Sequence, residues 1–173
     1  MNRRFSVFFS RQPLAGALVL GCFLSSMSAH AATVSVSGNV VLPPCTLNGG
    51  NTIDVNFGDD VMITRIDGKE YKKQPVNYNL SCEGDMSNGN NLLSITISGS
   101  VASFGSGLLK TDKSGLGVQF LNYTTPLAVN TGQAKFNYDS SHPTLFAVLA
   151  KNSASPPTAG EFSATATMSV NYQ

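Results

Sequence analysis

Residues 161–173 alternate between polar and apolar side chains without an exception. The apolar positions are Phe162, Ala164, Ala166, Met168, Val170 and Tyr172, and the positions between them carry Ser, Thr, Asn or Gln. Successive side chains of a β-strand point to opposite faces, so the pattern predicts one strand with a buried face from Glu161 to Gln173. Exposed edge strands are usually protected by charge or proline, and residues 162–173 contain neither. We therefore expect this edge to need a partner strand.

The same two-residue period recurs in the rest of the sequence. It is found at residues 53–57, 76–82, 93–97 and 116–120, while Leu145–Ala150 is a continuous apolar run. A run of that length is typical of a strand buried on both faces. Clusters of Gly, Asn, Asp, Ser and Pro separate these segments, and no window has the apolar spacing of an amphipathic helix. The sequence therefore predicts an all-β chain, folded as a β-sandwich with Greek-key connections.

The N-terminus has the three parts of a secretory signal peptide. A start with three arginines precedes an apolar run, Leu14–Leu24, and small residues follow up to Ala31. This order predicts cleavage after Ala31 and export of the remainder. Val19–Cys22 also resembles a bacterial lipobox, and the alternative is therefore a lipoprotein anchored at Cys22. The apolar run is too short to span a bilayer as a helix.

Removal of residues 1–31 leaves 142 residues, a net charge of 8 − 10 = −2 and two cysteines, Cys45 and Cys82. An even pair of cysteines in an exported protein favours a disulfide, with two free thiols as the alternative. Closing that loop would stabilise the fold by about 4 kcal/mol in the chain-entropy treatment. The weak net charge and the lack of a basic run make nucleic acid a poor partner.

Residues suited to catalysis or metal binding are scarce in the exported part. His142 is its only histidine and lies beside a proline in a turn-like stretch, so a histidine-based triad has little to work with. No Cys/His cluster has the spacing of a zinc site. Asp59 and Asp60 are adjacent after a glycine, which indicates a polar turn rather than an acid/base pair. We expect no enzyme activity, no metal and no cofactor.

A second alternating segment lies just after the predicted cleavage site. Its even positions are Val34, Val36, Gly38, Val40 and Leu42, and its odd positions are polar until Val41. Pro43 and Pro44 then end the pattern, because proline has no backbone N–H to donate to a sheet. The pattern leaves two alternatives open. The segment pairs with the last strand of its own chain, or it pairs with another chain.

Three motifs make the sequence resemble the pilin subunits of chaperone–usher fimbriae. They are Gly38-Asn-Val-Val-Leu-Pro-Pro-Cys45-Thr-Leu, Ile53-Asp-Val-Asn-Phe-Gly58 and Leu80-Ser-Cys82. That family also has a glycine fourteen residues from the C-terminus and a penultimate tyrosine, which correspond to Gly160 and Tyr172. The resemblance implies an incomplete immunoglobulin-like β-sandwich that lacks its last strand. A donor strand supplied in trans, first by a periplasmic chaperone and then by the next subunit, completes such a fold.

The resemblance also implies a division of the chain and a role for each part. Residues 1–31 would be the signal peptide, 32–43 the N-terminal donor-strand extension and 44–173 the pilin domain. The donor residues would be Val34, Val36, Gly38, Val40 and Leu42. The acceptor groove and chaperone-binding edge would be formed by Gly160, Phe162, Ala164, Ala166, Met168, Val170, Tyr172 and Gln173.

The implied partners are neighbouring pilin subunits, the periplasmic chaperone and the outer-membrane usher. The implied location is a fimbrium on the bacterial surface, where the subunit contributes to cell adhesion. A chain of this size with a donor segment has no room for a receptor-binding domain, so the resemblance favours a shaft or adaptor subunit. The main alternative is a secreted carbohydrate-binding β-sandwich. Such sites usually present aromatic rings, but the chain has no tryptophan, and only Tyr71, Tyr123 and Tyr138 are candidates.

Overall fold

The computed structural model describes residues 34–41, 44–84, 92–139 and 141–173. Within these ranges the regular structure consists of β-strands and two one-turn 3-10 helices, Asn48–Gly50 and Ile63–Arg65. The strands are β1 (Cys45–Leu47), β2 (Gln74–Pro75), β3 (Leu80–Cys82), β4 (Leu92–Ser98), β5 (Leu109–Lys110), β6 (Leu116–Asn122), β7 (Thr125–Leu127), β8 (Ala134–Asn137), β9 (Leu145–Lys151) and β10 (Thr167–Tyr172). Val40–Gln173 form one compact unit. In the part of the chain just defined, no helix is long and apolar enough to cross a membrane.

The paired strands run antiparallel and form three sheets. β1 pairs with β3, and β4 lies between β10 and β8 in a three-stranded sheet. The largest sheet has the order β2-β9-β6-β5, with β7 also paired to β6. Leu93 and Ile95 of the three-stranded sheet belong to the same buried core as Leu145 and Leu149 of the largest sheet. The predicted all-β sandwich is therefore confirmed.

The longest ladder joins β6 and β9 at the centre of the largest sheet. It runs over seven residue pairs, from Leu116 opposite Lys151 to Asn122 opposite Leu145. Val148 and Leu149 are neighbours on β9, so their side chains point to opposite faces, and both are fully buried. The continuous apolar run therefore forms a strand that is buried on both faces, as predicted. Each such side chain contributes about 1.5–3 kcal/mol by leaving water.

The extents of several predicted strands were wrong. β4 and β6 form where the sequence predicts them, but the strand predicted over 161–173 is limited to Thr167–Tyr172. Only Leu80–Cys82 of the segment 76–82 is in a strand, and no residue of 53–57 is. Side-chain alternation predicts which residues of a segment share a face, whereas a strand also needs a neighbouring backbone to pair with. β8 was missed because its four residues are too few for a reliable period.

The structure contains the disulfide between Cys45 and Cys82. The two cysteines are direct partners in the antiparallel pairing of β1 with β3. The bond therefore links the start of β1, the first strand of the compact unit, to the end of β3. Sulfur at Cys45 also lies 3.5 Å from the hydroxyl oxygen of Tyr172, next to the end of β10.

Candidate functional site

An open groove of about 690 Å³ runs along the sandwich between two segments of the chain. Residues 50–55 and Phe57 line one border, and residues 162–168 line the other. Between these borders the groove reaches buried core side chains of both larger sheets. They are Val76, Ile97, Leu109, Val118, Phe120 and Ala147. A cleft with an apolar floor between two extended segments has the form that binds an extended peptide.

The first border has the side-chain pattern of a strand without a backbone partner. Ile53 and Val55 are half-buried and Phe57 is buried, while Asp54 and Asn56 are exposed. Residues 51–58 nevertheless belong to no strand of the described chain. The predicted alternation is therefore present here in burial, but not in hydrogen bonding.

The second border runs from residue 161 to the end of the chain, and its first part, residues 161–166, has the same property. Phe162 and Ala166 are half-buried, and Ser163 and Thr165 are exposed. Ala164 lines the groove but is exposed, because no other segment of the described chain covers it. Pairing begins only at Thr167, where β10 meets β4. The groove is therefore bordered on both sides by backbone that has no ladder partner within the described residues.

The two borders approach each other at both ends of the groove. At one end β1 lies beside β10, where Cys45 and Tyr172 are in contact. At the other end the rings of Phe57 and Phe162 meet with their centroids 6.0 Å apart. The chain directions inferred from these two contacts are antiparallel. A strand placed between the borders would therefore run parallel to one of them and antiparallel to the other.

The start of the second border is held by hydrogen bonds to the turn that follows β5. The amide and hydroxyl of Ser163 donate to the carboxylate of Asp112, at 2.8 Å and 2.9 Å. The Asp112 amide donates to the Ser163 carbonyl at 3.0 Å. The bonds from the Ser163 amide and then its hydroxyl hold the pKa of Asp112 below its ordinary value of 3.8, because they favour the ionised carboxylate.

Gly160 lies at the turn into this border. Its φ of +121° is strained for any residue with a side chain, and a Cβ there would lie 2.8 Å from the Lys113 ammonium nitrogen. That ammonium donates to the Ala159 carbonyl at 3.1 Å. The local backbone therefore explains why a glycine occupies this position.

The far end of the second border is a regular strand. Met168 and Val170 are half-buried and pair with Ile97 and Ile95 of β4. The amide of Gln173 donates to the Leu92 carbonyl at 2.9 Å, and its side chain donates to the Ser94 hydroxyl at 2.7 Å. The C-terminal residue is therefore held within the subunit, and its role in the chaperone-binding edge stays a prediction.

The N-terminal segment exposes the apolar side chains that the sequence assigns to a donor strand. Val34, Val36 and Val40 are 82%, 90% and 97% exposed. No atom lies within 4 Å of where a Cβ on Gly38 would be. Leu42 lies outside the described residues, as do the predicted signal peptide and Cys22. The donor role of this segment stays a prediction.

The remaining candidates make contacts within the chain. Asp60 binds the Lys72 ammonium, whose hydrogen bond lowers the pKa of that carboxyl. His142 packs its ring against Phe136, with centroids 5.5 Å apart. Within the described residues, no group of three or more His, Cys, Asp or Glu side chains is arranged to hold a metal ion.

The three tyrosines considered for carbohydrate binding lie on different connections. The Tyr71 hydroxyl accepts a hydrogen bond from the Met62 amide at 2.9 Å, and the Arg65 guanidinium lies 4.7 Å from its ring centre. Tyr138 packs against His142, with ring centroids 5.7 Å apart. Tyr123 is the most exposed, in the turn between β6 and β7. No joint aromatic surface is evident from these contacts in the described chain.

Residues 34–173 match the family model of the fimbrial proteins. Two curated relatives from Escherichia coli K12 are the uncharacterized fimbrial-like proteins YfcQ and YfcR. YfcQ is 33% identical over 165 residues, covering 90% of this chain and 97% of the relative. YfcR is 31% identical over 175 residues, covering 95% and 96%.

Solved structures of pilus subunits have the same fold. The P pilus adaptor subunit PapF is 27% identical with a TM-score of 0.53, over 78% of this chain and all of that one. The P pilus rod subunit PapA has a TM-score of 0.59 over 75% of this chain and 99% of that one. At 19% identity, the similarity to PapA concerns the fold alone. The immunoglobulin-like architecture expected from the sequence is confirmed by these similarities.

Proposed function

The chain belongs to the fimbrial protein family, as a pilin subunit of the chaperone–usher type, and on that premise we propose that it polymerises by donor-strand exchange. In this proposal the groove of one subunit binds the N-terminal segment of another copy. The observation that carries it is the pair of borders at 51–58 and 161–166. Both have the alternating side chains of a strand, and both lack a ladder partner within the described residues.

An inserted strand would satisfy both borders at once. Backbone pairing supplies affinity in such complexes, and alternate side chains fill pockets that confer specificity. Burial of Val34, Val36, Val40 and Leu42 contributes about 6–12 kcal/mol. Ordering roughly ten residues costs about 10–20 kcal/mol of backbone entropy, so ladder hydrogen bonds offset much of the cost. We infer that the assembled joint persists largely because strand release is slow.

The finer assignments follow from this role. Residues 1–31 direct export, 32–43 form the donor extension and 44–173 form the domain that carries the groove. A periplasmic chaperone protects the groove before assembly, an outer-membrane usher delivers the subunit, and the product is an extracellular fimbrium that contributes to cell adhesion. The role is structural rather than catalytic.

The decisive experiment measures whether the donor segment fills the groove. A peptide of residues 32–42 is mixed with a chaperone-bound subunit, and chaperone release is followed over time. The wild-type peptide should displace the chaperone. Val36→Asp should not, because burying a carboxylate in an apolar pocket costs several kcal/mol unless it is protonated. Gly38→Val should be impaired through steric exclusion at a position suited to close backbone approach.

The matched control is Ser35→Asp, which adds the same charge on the opposite face of the strand. It should displace the chaperone nearly as well as the wild-type peptide, because its carboxylate stays in water. Equal displacement by the Val36→Asp and wild-type peptides would falsify the proposal. So would failure of a subunit lacking 32–42 to fold on its chaperone, since a trans donor is not part of its own core.

A further inference from the structure

One residue outside the groove engages every polar group of Ser163. The serine donates from its amide and its hydroxyl to the two carboxylate oxygens of Asp112, and its carbonyl accepts from the Asp112 amide. Ser163 lies in the border that lacks a ladder, four residues before the first ladder pair at Thr167. The carboxylate thus takes the place that a neighbouring strand's carbonyl would occupy in a sheet.

The base of this contact is anchored in the core. Thr111 precedes Asp112 and is almost fully buried. Its hydroxyl oxygen accepts from the Lys113 amide at 3.2 Å and lies 2.9 Å from the Leu116 carbonyl oxygen. The Lys113 ammonium also donates to the Ala159 carbonyl, in the connection between β9 and β10 that leads into the border. The turn after β5 is therefore a fixed support, which contacts the border just before it begins and again at Ser163.

The contact also decides the direction of the neighbouring side chains. When the Ser163 hydroxyl points to Asp112, the strand period directs Phe162 and Ala164 to the opposite face, and Phe162 packs against the buried core. Phe162 then meets Phe57 across the end of the groove. Loss of the Asp112 carboxylate would leave this stretch without the two bonds that set its orientation.

We propose that Asp112 is a positioning residue for strand capture, which keeps border 161–166 extended while the groove is not filled. The inference rests on the proposed donor-strand function. Without the carboxylate, the backbone of residues 161–166 becomes ordered only when the donor strand binds. The loss of conformational entropy then slows association. Once a strand fills the groove, its own ladder bonds hold the border. The contact with Asp112 therefore affects capture much more than release.

The test uses a fluorescent peptide of residues 32–42 and the purified subunit separated from its chaperone, so that the groove is empty when the peptide is added. The capture rate is measured first, and the release rate is then measured after adding excess unlabelled peptide. Asp112→Ala should slow capture by about tenfold, as expected for the loss of charge-assisted hydrogen bonds. Ser163→Ala should slow it by about threefold, because only the hydroxyl bond is lost. Release should be nearly unchanged in both variants, because the ladder bonds of the bound peptide hold the border.

Two variants provide the controls. Ser163→Thr keeps the hydroxyl and should capture like wild type, while Asp59→Ala removes an exposed carboxylate elsewhere and should also be unaffected. Wild-type capture by Asp112→Ala, or release that accelerates as much as capture slows, would overturn the inference. If Asp112→Ala is not recovered, the Ser163 pair decides, and equal rates for its Ala and Thr variants overturn it. Failure of the wild-type subunit to capture peptide would instead contradict the proposed function.

Discussion

Single carboxylates fix segments of this molecule that no ladder holds. One oxygen of Asp67 accepts from the amides of Lys69, Glu70 and Tyr71, at 2.9 Å, 3.1 Å and 3.1 Å. The bond from the Lys69 amide is the largest of the effects that hold the pKa of Asp67 below its ordinary value of 3.8. Asp112 acts in the same way on Ser163. Both side chains stabilise their segment more strongly in the ionised form.

This leads to a prediction at the scale of the residue, the dependence of stability on pH. A carboxyl whose pKa is lowered by folding stabilises the protein above its unfolded pKa, and that stability is lost as the pH falls through the lower folded pKa. We therefore expect the Tm of the strand-filled subunit to change little between about pH 7 and 5 and to fall below about pH 4. Thermal melts followed by circular dichroism measure it. Asp67→Asn should flatten the acid slope, because the amide cannot titrate. An unchanged slope in Asp67→Asn would contradict the assignment.

At the scale of the element, β10 is the part of the second border that is already paired. Its ladder with β4 extends from Thr167 opposite Ser98 to Tyr172 opposite Leu93, and the Gln173 amide continues it to Leu92. The strand therefore holds one wall of the groove against the core, whereas residues 161–166 have no ladder partner within the described residues.

We predict that deleting Asn171–Gln173 prevents accumulation of the subunit. The deletion removes two ladder pairs, the Gln173 hydrogen bonds and the Tyr172 hydroxyl that contacts Cys45. Periplasmic abundance and chaperone co-purification are the measurements. The point variant Gln173→Ala is the control, since it loses only the side-chain bond to Ser94 and should accumulate. Normal levels of the truncated subunit, still bound to chaperone, would count against the prediction.

At the scale of the whole molecule, the open groove makes the fold incomplete until a strand enters. We predict that fusing a copy of residues 32–43 behind Gln173 through a short linker fills the groove within one chain. The several kcal/mol gained by burying its apolar side chains should raise the Tm by about 10 °C or more. Such a fusion should also stop binding the free peptide, because its groove is occupied.

Calorimetry of the fusion protein and a peptide-binding assay test this together. The control carries Val36→Asp in the added segment only, which leaves the length and the linker unchanged. This control should melt like the unfused subunit and still bind peptide. A fusion protein that binds peptide as well as the unfused subunit would show that the segment does not occupy the groove.

The predictable parts of the fold are those with long patterns and nearby partners. β4, β6 and β9 are seven residues each and lie at the centres of the two larger sheets. Their side-chain patterns are long enough to identify a strand, and neighbouring strands pair with them. The strands predicted from the sequence are therefore the strands that form. β5 and β7 have two and three residues, and such short elements exist only because a long strand lies beside them. Their positions could not be derived from a local period.

The sequence by itself determined which side chains of each segment share a face, because a strand with one buried face has apolar residues at every second position. It also indicated the cysteine pair and the apolar donor pattern. Only the tertiary structure decided which patterned segments are paired. Residues 53–57 and 167–172 alternate equally well, yet only the second has β4 beside it. Nor does the order of residues predict that Asp112 meets Ser163, 51 positions away. Hydrogen bonds between distant segments depend on which backbones the fold brings together, and a local period carries no information about that.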